Sequence, residues 1–567
     1  MTTPTEFSMQ KMERTKHLQM ILESGSSKRL VVAGPGTGKT FTFKRIIETY
    51  PEKNYLVMTF INKLVDDLAS DLGDIADVKT FHRFCKGLLH KSIGSFQIYP
   101  NLEQLICVDA HLLGLKYKGF LEQFRTLHDP CDEALFYLER CQYYGTYSFD
   151  DLVYTLFQKI NSGELDVPTY DLIMIDEYQD FNPLEVELIE KLSKNSPVLV
   201  VGDDDQAVYD TRSSSPSYLR NLYSSGEYDV FELPYCSRCP KVITDTVNAI
   251  VHNAEKEGLF IDRIEKHYEC FLEDKEEDNK KYPKIIHAHC TGIKTVAKYI
   301  SAEIFQIPRS DFEDGKSEGY PPVLIAGPRH YLLQIYKILE KQHASIGFET
   351  PKHNESFLVE GFKYLLEDPR SNLGWRLLCA EPTARRHLKN VIVKSQHGLN
   401  LIDILDSDFV SRTNKVLDVL FAIRDDGHYE DEQYNTIKKH LGDETDLIIQ
   451  HLIGDAESAD EVVDEVAPEI VLTTYVGCKG LSAGHVFVTG LVNDNLPKDP
   501  NDIKDLEVSK LLVALTRTRK KCHLISNDFM IHPKEREEKL SISKFFQWID
   551  YSKVSYKGTL KAKDFKK

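Results

Sequence analysis

The run Leu30-Val31-Val32-Ala33-Gly34-Pro35-Gly36-Thr37-Gly38-Lys39-Thr40 leaves little freedom to the chain around it. An apolar stretch that breaks into glycines and resumes as a helix is a strand, a turn and a helix N-terminus in succession. That order opens a parallel α/β sheet. Glycines let the main chain close on a phosphate, and the unpaired N–H groups of the first helical turn point at it. Lys39 adds a point charge for the β- and γ-phosphates, and the Thr40 hydroxyl completes a Mg²⁺ shell. The candidate cradle is therefore Gly34, Gly36, Thr37, Gly38, Lys39 and Thr40. The general pattern puts glycine six residues before the lysine, where this chain has Ala33.

Two acidic clusters complete a site for ATP and Mg²⁺. Asp176-Glu177-Tyr178-Gln179-Asp180 ends the apolar run Leu172–Ile175, which places its carboxylates at the carboxyl edge of the same sheet. Asp176 reads as the Mg²⁺ ligand and Glu177 as the group that polarises the attacking water. Gly202-Asp203-Asp204-Asp205-Gln206 comes after another apolar strand. The Gln206 amide can contact the γ-phosphate or the water and register whether the triphosphate is intact. A glutamine in each cluster points to a motor that couples hydrolysis to movement on nucleic acid.

Strand and helix signals alternate through residue 82, stop, and resume near residue 166. The spacing predicts helices over 9–22, 40–48, 62–70 and 183–192 and strands over 29–33, 55–59, 171–176 and 197–201. A second α/β region starts near Leu233, with strands at 284–288, 323–326, 470–473 and 486–489 and helices at 331–341 and 508–518. The architecture expected is α/β: two parallel-sheet cores, each interrupted by a mostly helical insertion. Its bounds are 1–82 and 166–231 for the first core, 83–165 for its insertion, 232–355 and 466–535 for the second core, 356–465 for an acidic helical insertion, and 536–567 for a basic tail. An acidic loop is expected at Glu273–Asp278.

At 567 residues the chain exceeds one core. Its net charge of −18 argues against a nonspecific nucleic-acid coat but leaves room for a local basic groove. The last fifteen residues carry six lysines, read as a solvated terminus. No apolar stretch approaches a membrane span and the N-terminus lacks a leader pattern, so no membrane contact and a cytoplasmic location are expected. Eleven scattered cysteines suit reduced thiols, and Cys236/Cys239, the one C-x-x-C, reads as a buried pair rather than a metal site.

Taken in order, the motifs resemble those of the UvrD/Rep/PcrA-like superfamily 1A DNA helicases, over both cores and most of the chain. Ala33 at the first loop position is usual there. Thr59-Phe60-Ile61-Asn62-Lys63 is similar to motif Ia, Lys79-Thr80-Phe81-His82 to motif Ib, and Ser148–Leu152 to a D-F-x-D-L segment. Asp176–Asp180 and Val201–Tyr209 correspond to motifs II and III, Thr474–Leu481 to motif V, and Val513–Arg519 to motif VI. The resemblance implies two RecA-like cores with ATP in the cleft between them. Arg517 is then an arginine finger from the second core and Arg238, in Leu233–Pro240, a second finger. It also implies single-stranded DNA, or a tailed duplex, across both cores, contacted by Thr59, Phe60, Asn62, Lys63, Thr80, Phe81, His82, Thr474 and Lys479. Phe60 and Phe81 are the candidates for stacking on bases.

The chain also departs from that pattern. Thr211 stands where an aromatic residue is usual, Ser237 where an adenine-stacking ring precedes the motif IV arginine, Val476 for a histidine and Ser482 for a glutamate. Tyr235, two residues before Ser237, is the candidate substitute for the stacking ring. Gln10 and Gln19 both precede the loop, and Gln19 fits the spacing of an adenine-reading glutamine better. The hydrolytic groups are intact, while groups that couple hydrolysis to movement are eroded. Two functions are expected from this balance: a 3′→5′ single-stranded DNA translocase and helicase, or a nucleic-acid-stimulated ATPase subunit that senses or recruits within a larger complex. With no nuclease constellation in the chain, cleavage would come from a partner protein. A small-molecule kinase is disfavoured because nothing resembles an acceptor pocket.

Overall fold

The computed structural model describes the chain apart from residues 1–3, 61–64, 66–67, 69–74, 118, 128–130, 210–211, 349–355, 381–386, 458–467, 532–536 and 566–567. Six strands form a first sheet: β1 (Lys28–Ala33), β2 (Tyr55–Thr59), β3 (Ala76–Thr80), β4 (Leu172–Ile175), β5 (Val198–Gly202) and β6 (Asp229–Leu233). Their order is β3-β2-β4-β5-β1-β6, with parallel pairing throughout. β2, β4 and β5 are buried along their whole length and β1 along all but its first residue. Strands covered on both faces read as unbroken apolar runs, which is why these four were visible in sequence.

A second sheet joins β7 (Ile285–Cys290), β8 (Val323–Gly327), β9 (Ile346–Phe348), β10 (Ile470–Thr474), β11 (Ala483–Val488), β12 (Thr518–Asn527) and β13 (Val554–Leu560). The order is β9-β10-β8-β11-β12-β7-β13, again all parallel. The α/β class with two parallel-sheet cores expected from sequence is thus the class observed.

Several local readings are corrected. Within the stretch expected as a basic tail, Phe545, Phe546 and Trp548 are buried, and within the last fifteen residues, read as solvated, β13 pairs with β7. The lysines that suggested solvation flank or sit on an edge strand of which only Val554 is buried, so composition hid the strand. The acidic stretch Glu273–Asp278 lies in a helix, Leu272–Lys281, with Glu273 and Asp274 in its first turn and Lys280 and Lys281 in its last. That arrangement suits the helix dipole. The helix expected over 508–518 is Asp505–Leu515, and β12 starts at Thr518. Edge strands β3 and β6 were missed because they are half-buried or exposed along most of their length and carry charge. The helix expected over 62–70 lies mostly outside the described residues.

The chain divides into two compact units. One comprises Met1–Phe84, Asp166–Thr350 and Ala467–Lys567 and holds both sheets; the other comprises Cys85–Leu165 and Pro351–Val466 and is mainly helical. The second unit is built from two separate stretches of chain that share a core. At its centre Asp109, wholly buried, lies 3.1 Å from Arg140 and 2.7 Å from Arg376, and the Tyr144 hydroxyl donates to it. Arg140 also donates to Ser395 at 3.0 Å. No described helix is long and apolar enough to cross a membrane.

Replacing Asp109 by alanine strands two buried guanidinium groups. The expected loss is about 3–5 kcal/mol from the helical unit. Thermal and denaturant unfolding check this, and the substitution should lower the midpoint more than Arg376→Met does.

Candidate active site

The glycine loop joins β1 to the helix Lys39–Thr49, whose N-terminus has no side-chain cap. Its first N–H groups are therefore available to an anion. Gly36 (φ +74°) and Gly38 (φ +98°) hold left-handed backbone that a side chain would strain. Space matters as much: a Cβ on Gly36 would meet Arg238 Cβ at 2.4 Å, and one on Gly34 would meet the Tyr268 ring at 2.7 Å. Thr37 Oγ1 donates to Gly34 O at 2.9 Å and braces the turn. Arg238 is thereby brought against the loop from the second region, with Ser237 N donating to Gly36 O at 3.0 Å. The C-x-x-C pair seals the same contact: Cys236 Sγ donates to Pro35 O and Cys239 Sγ to Thr516 O. Both thiols are free and buried, as the sequence suggested.

Beyond β4, Glu177 adopts φ +53°, a strained conformation for a non-glycine residue. It turns the carboxylate back toward the loop, where Lys39 Nζ lies 3.1 Å from Glu177 Oε1. Gln179 Nε2 donates to the other oxygen of Glu177. Lys479 Nζ sits 2.5 Å from Asp180 and 3.7 Å from Glu177. Burial would raise Glu177, yet the Lys39 and Lys479 charges hold it well below the usual carboxylate range. Burial, and then the Glu177 charge, push Asp176 up to about 7, and burial pushes Asp180 up to about 6 against the pull of Lys479. Asp176 is thus a buried carboxylate short of positive charge. With the half-buried Thr40 it offers hard oxygen donors that fit Mg²⁺.

Gln206 is held from three sides. Its Nε2 donates to Asp203 Oδ2 at 2.6 Å, its Oε1 accepts from Arg517 Nη2 at 2.9 Å, and its carbonyl accepts from Lys479 Nζ at 2.8 Å. Arg517 is 3% exposed and is fixed by bonds to Val513 O and Leu481 O. Burial, and then the charge of Arg238, lower its guanidinium to about 10, so it remains a cation at neutral pH. Ser482 accepts from Arg519 Nε at 3.0 Å, filling locally the place where a glutamate was expected.

The sequence-predicted nucleic-acid residues divide sharply. Phe60, Thr80, His82 and Thr474 are half-buried at the carboxyl ends of β2, β3 and β10. Phe60 packs on Phe181 and carries the Arg212 guanidinium 4.7 Å over its ring. His82 Nε2 lies 3.6 Å from Glu185. Thr80 Oγ1 accepts from Arg83 N, and Thr474 Oγ1 from Gly477 N. Phe81, by contrast, is wholly buried edge-on against Phe181, and Thr59 is wholly buried, so neither presents a surface to a base or phosphate. Lys479 is corrected too: its 2%-exposed side chain is paired with Asp180 and Glu177 and does not face solvent. Asn62, Lys63 and Thr211 lie outside the described residues.

Two adenine-site expectations also change. Gln19 is exposed and donates to Glu23, whereas Gln10 is buried, accepting from Leu272 N and donating to Cys270 O. Helix spacing alone could not tell which face turned inward. Tyr235 is 8% exposed, its hydroxyl on Glu13 and its ring edge-on to Phe271. Sequence assigned no individual role to Gln179, Lys266 or Arg212. Gln179, the glutamine of the first acidic cluster, was the one with a signal.

The AAA domain family matches residues 18–212, and the viral superfamily 1 RNA helicase core domain family matches residues 150–295. A probable DNA helicase II homologue of Mycoplasma capricolum is 24% identical over 92% of this chain and 85% of its own length. DNA helicase II of Haemophilus influenzae is 24% identical over 40% of the chain, and the ATP-dependent DNA helicase PcrA of Staphylococcus aureus 26% identical over 40%. In each of these two the match spans 38% of the relative.

Substituting alanine for Lys479 should lower nucleoside-triphosphate turnover by about 10²-fold or more, as loss of one buried charge-stabilising donor does. The salt slope of single-stranded nucleic-acid binding should stay unchanged, whereas a lost phosphate contact would reduce it by about 1. Steady-state kinetics and a salt titration of binding read the two effects separately.

Proposed function

We propose that this chain, a superfamily 1 helicase of the UvrD-like family and hence an ATP-dependent enzyme, moves 3′→5′ along single-stranded DNA by hydrolysing ATP between its two sheets. The observation that carries the reading is the bond from Arg517, next to β12 of the second sheet, to Gln206, next to β5 of the first. The same cluster holds the Lys39–Glu177 pair. In the domain scheme proposed, 1–82 with 166–231 and 232–355 with 466–535 are the two motor cores, and 83–165 and 356–465 are their insertions.

The glycine loop and the first turn of its helix receive the β- and γ-phosphates. In this structure Lys39 rests on Glu177. An incoming triphosphate competes for its ammonium and frees the carboxylate to orient water. Mg²⁺, held by Thr40 and Asp176, would supply charge neutralisation on the phosphate oxygens. Arg238, against the loop, and Arg517, on Gln206, stabilise the charge that develops on the transferred phosphoryl group. Gln206 bonds Arg517 in this structure and can exchange that partner for the γ-phosphate, so the state of the nucleotide sets the contact between the cores.

Phe60, Thr80, His82 and Thr474 form the proposed DNA-facing set, with Phe60 as the stacking ring. The withdrawal of Phe81, Thr59 and Lys479 from that surface supports a second reading, an ATPase that responds to DNA within a larger complex without robust unwinding. A nuclease or other protein partner belongs to that reading.

ATP turnover by purified protein should rise at least about tenfold with single-stranded DNA, and Lys39→Ala should abolish it while DNA binding persists. Equal rates with and without DNA would contradict the motor. Strand displacement from a 3′-tailed but not a 5′-tailed duplex is the expected polarity, and absence of displacement on both selects the second reading. Arg517→Ala should lower kcat about 10³-fold or more, read by single-turnover hydrolysis.

A further inference from the structure

Lys266 belongs to no sequence motif, yet it occupies the most acidic spot near the hydrolytic cluster. It comes after the helix Lys241–Lys256, and its side chain is 5% exposed. Its ammonium lies 2.5 Å from Asp203, 2.6 Å from Asp204 and 3.1 Å from Asp205. Among the described residues these carboxylates form the one group of three His, Cys, Asp or Glu side chains close enough to share a metal ion, and a lysine fills it. Arg263 clamps Asp205 through two bonds of 2.7 and 2.9 Å, and Arg220 holds Asp204 at 2.9 Å. Two residues after Lys266, Tyr268 donates to Pro35 O in the glycine loop at 2.9 Å. Tyr268 also packs in the core that contains β8, β11 and β12 residues of the second sheet.

Asp203 connects this cluster to the reaction. One of its oxygens faces Lys266 and the other accepts from Gln206 Nε2. Its own N–H donates to Gln179 Oε1, and Gln179 donates to Glu177. A carboxylate can only accept, so it forces the NH₂ end of Gln206 toward itself and the oxygen toward Arg517. A carboxylate 1% exposed keeps that role only while a cation anchors it. We propose that Lys266 is a positioning residue for ATP hydrolysis: it anchors Asp203, which sets the orientation of the Gln206 amide, and so couples that amide to a segment packed on the second sheet. This rests on the hydrolytic reading above.

The test compares Lys266→Met, Lys266→Arg and Gln206→Ala, with the Lys266→Met/Gln206→Ala double variant, in the full chain with single-stranded DNA. Lys266→Met should lower kcat about tenfold or more with KM for ATP within about twofold, and Lys266→Arg should recover most of the loss. In the Gln206→Ala background Lys266→Met should change kcat less than about twofold, because its route to the reaction is already cut. If Lys266→Met fails to fold, Asp203→Asn breaks the same link from the other side and must show the same non-additivity. Full-speed turnover in Lys266→Met, or equal losses in both backgrounds, overturns the inference while leaving the hydrolytic reading standing. A wild-type protein without turnover overturns both.

Discussion

The arrangement depends on a seam of buried charge. Two carboxylates, Glu177 and Asp180, share the ammonium groups of Lys39 and Lys479, with a third, Asp176, buried beside them in a place with little water. Taking so many ions out of solvent is costly unless each finds partners, and removing any one leaves the rest uncompensated. The strained backbone at Glu177, the glycines that admit Arg238 and Tyr268, and the burial of Arg517 all result from packing two sheets onto this one cluster. Such a site is stable with its charges balanced and responsive when a polyanion enters.

Much of this was legible from residues. The loop at 34–40 and the carboxylates after β4 declared themselves because a strand buried on both faces must be an apolar run, and the residues just past its end stand at the sheet edge. Sequence could not say which side of that edge a residue takes. Phe60 and Phe81 look equivalent as letters, yet one is half-buried and the other enclosed by Phe181. Lys479 reads through its motif as a nucleic-acid contact, and only the fold shows it reaching Asp180. Lys266 carries no local signal, since its three partners lie about sixty positions earlier. β13 was hidden because edge strands tolerate the charge that marks a tail.

The helical unit poses the same problem in another form. Asp109 and Arg376 are distant in sequence, and each alone reads as a surface charge. Together with Arg140 they make the polar centre of a core formed by two inserted stretches. Neither stretch has a reason to keep such a charge without the other, so the unit is specified by both at once.

The strand order of the second sheet has a consequence for biosynthesis. β8 is an apolar strand buried along its whole length, and its two neighbours, β10 and β11, both come after the long helical insertion. During translation it leaves the ribosome roughly 140 residues before either neighbour exists, which at ordinary elongation rates is on the order of ten seconds. For that interval a nascent chain exposes two unsatisfied edges on a wholly apolar segment. Yield in a cell therefore depends on elongation speed and chaperone supply across the insertion, in addition to the stability of the finished fold.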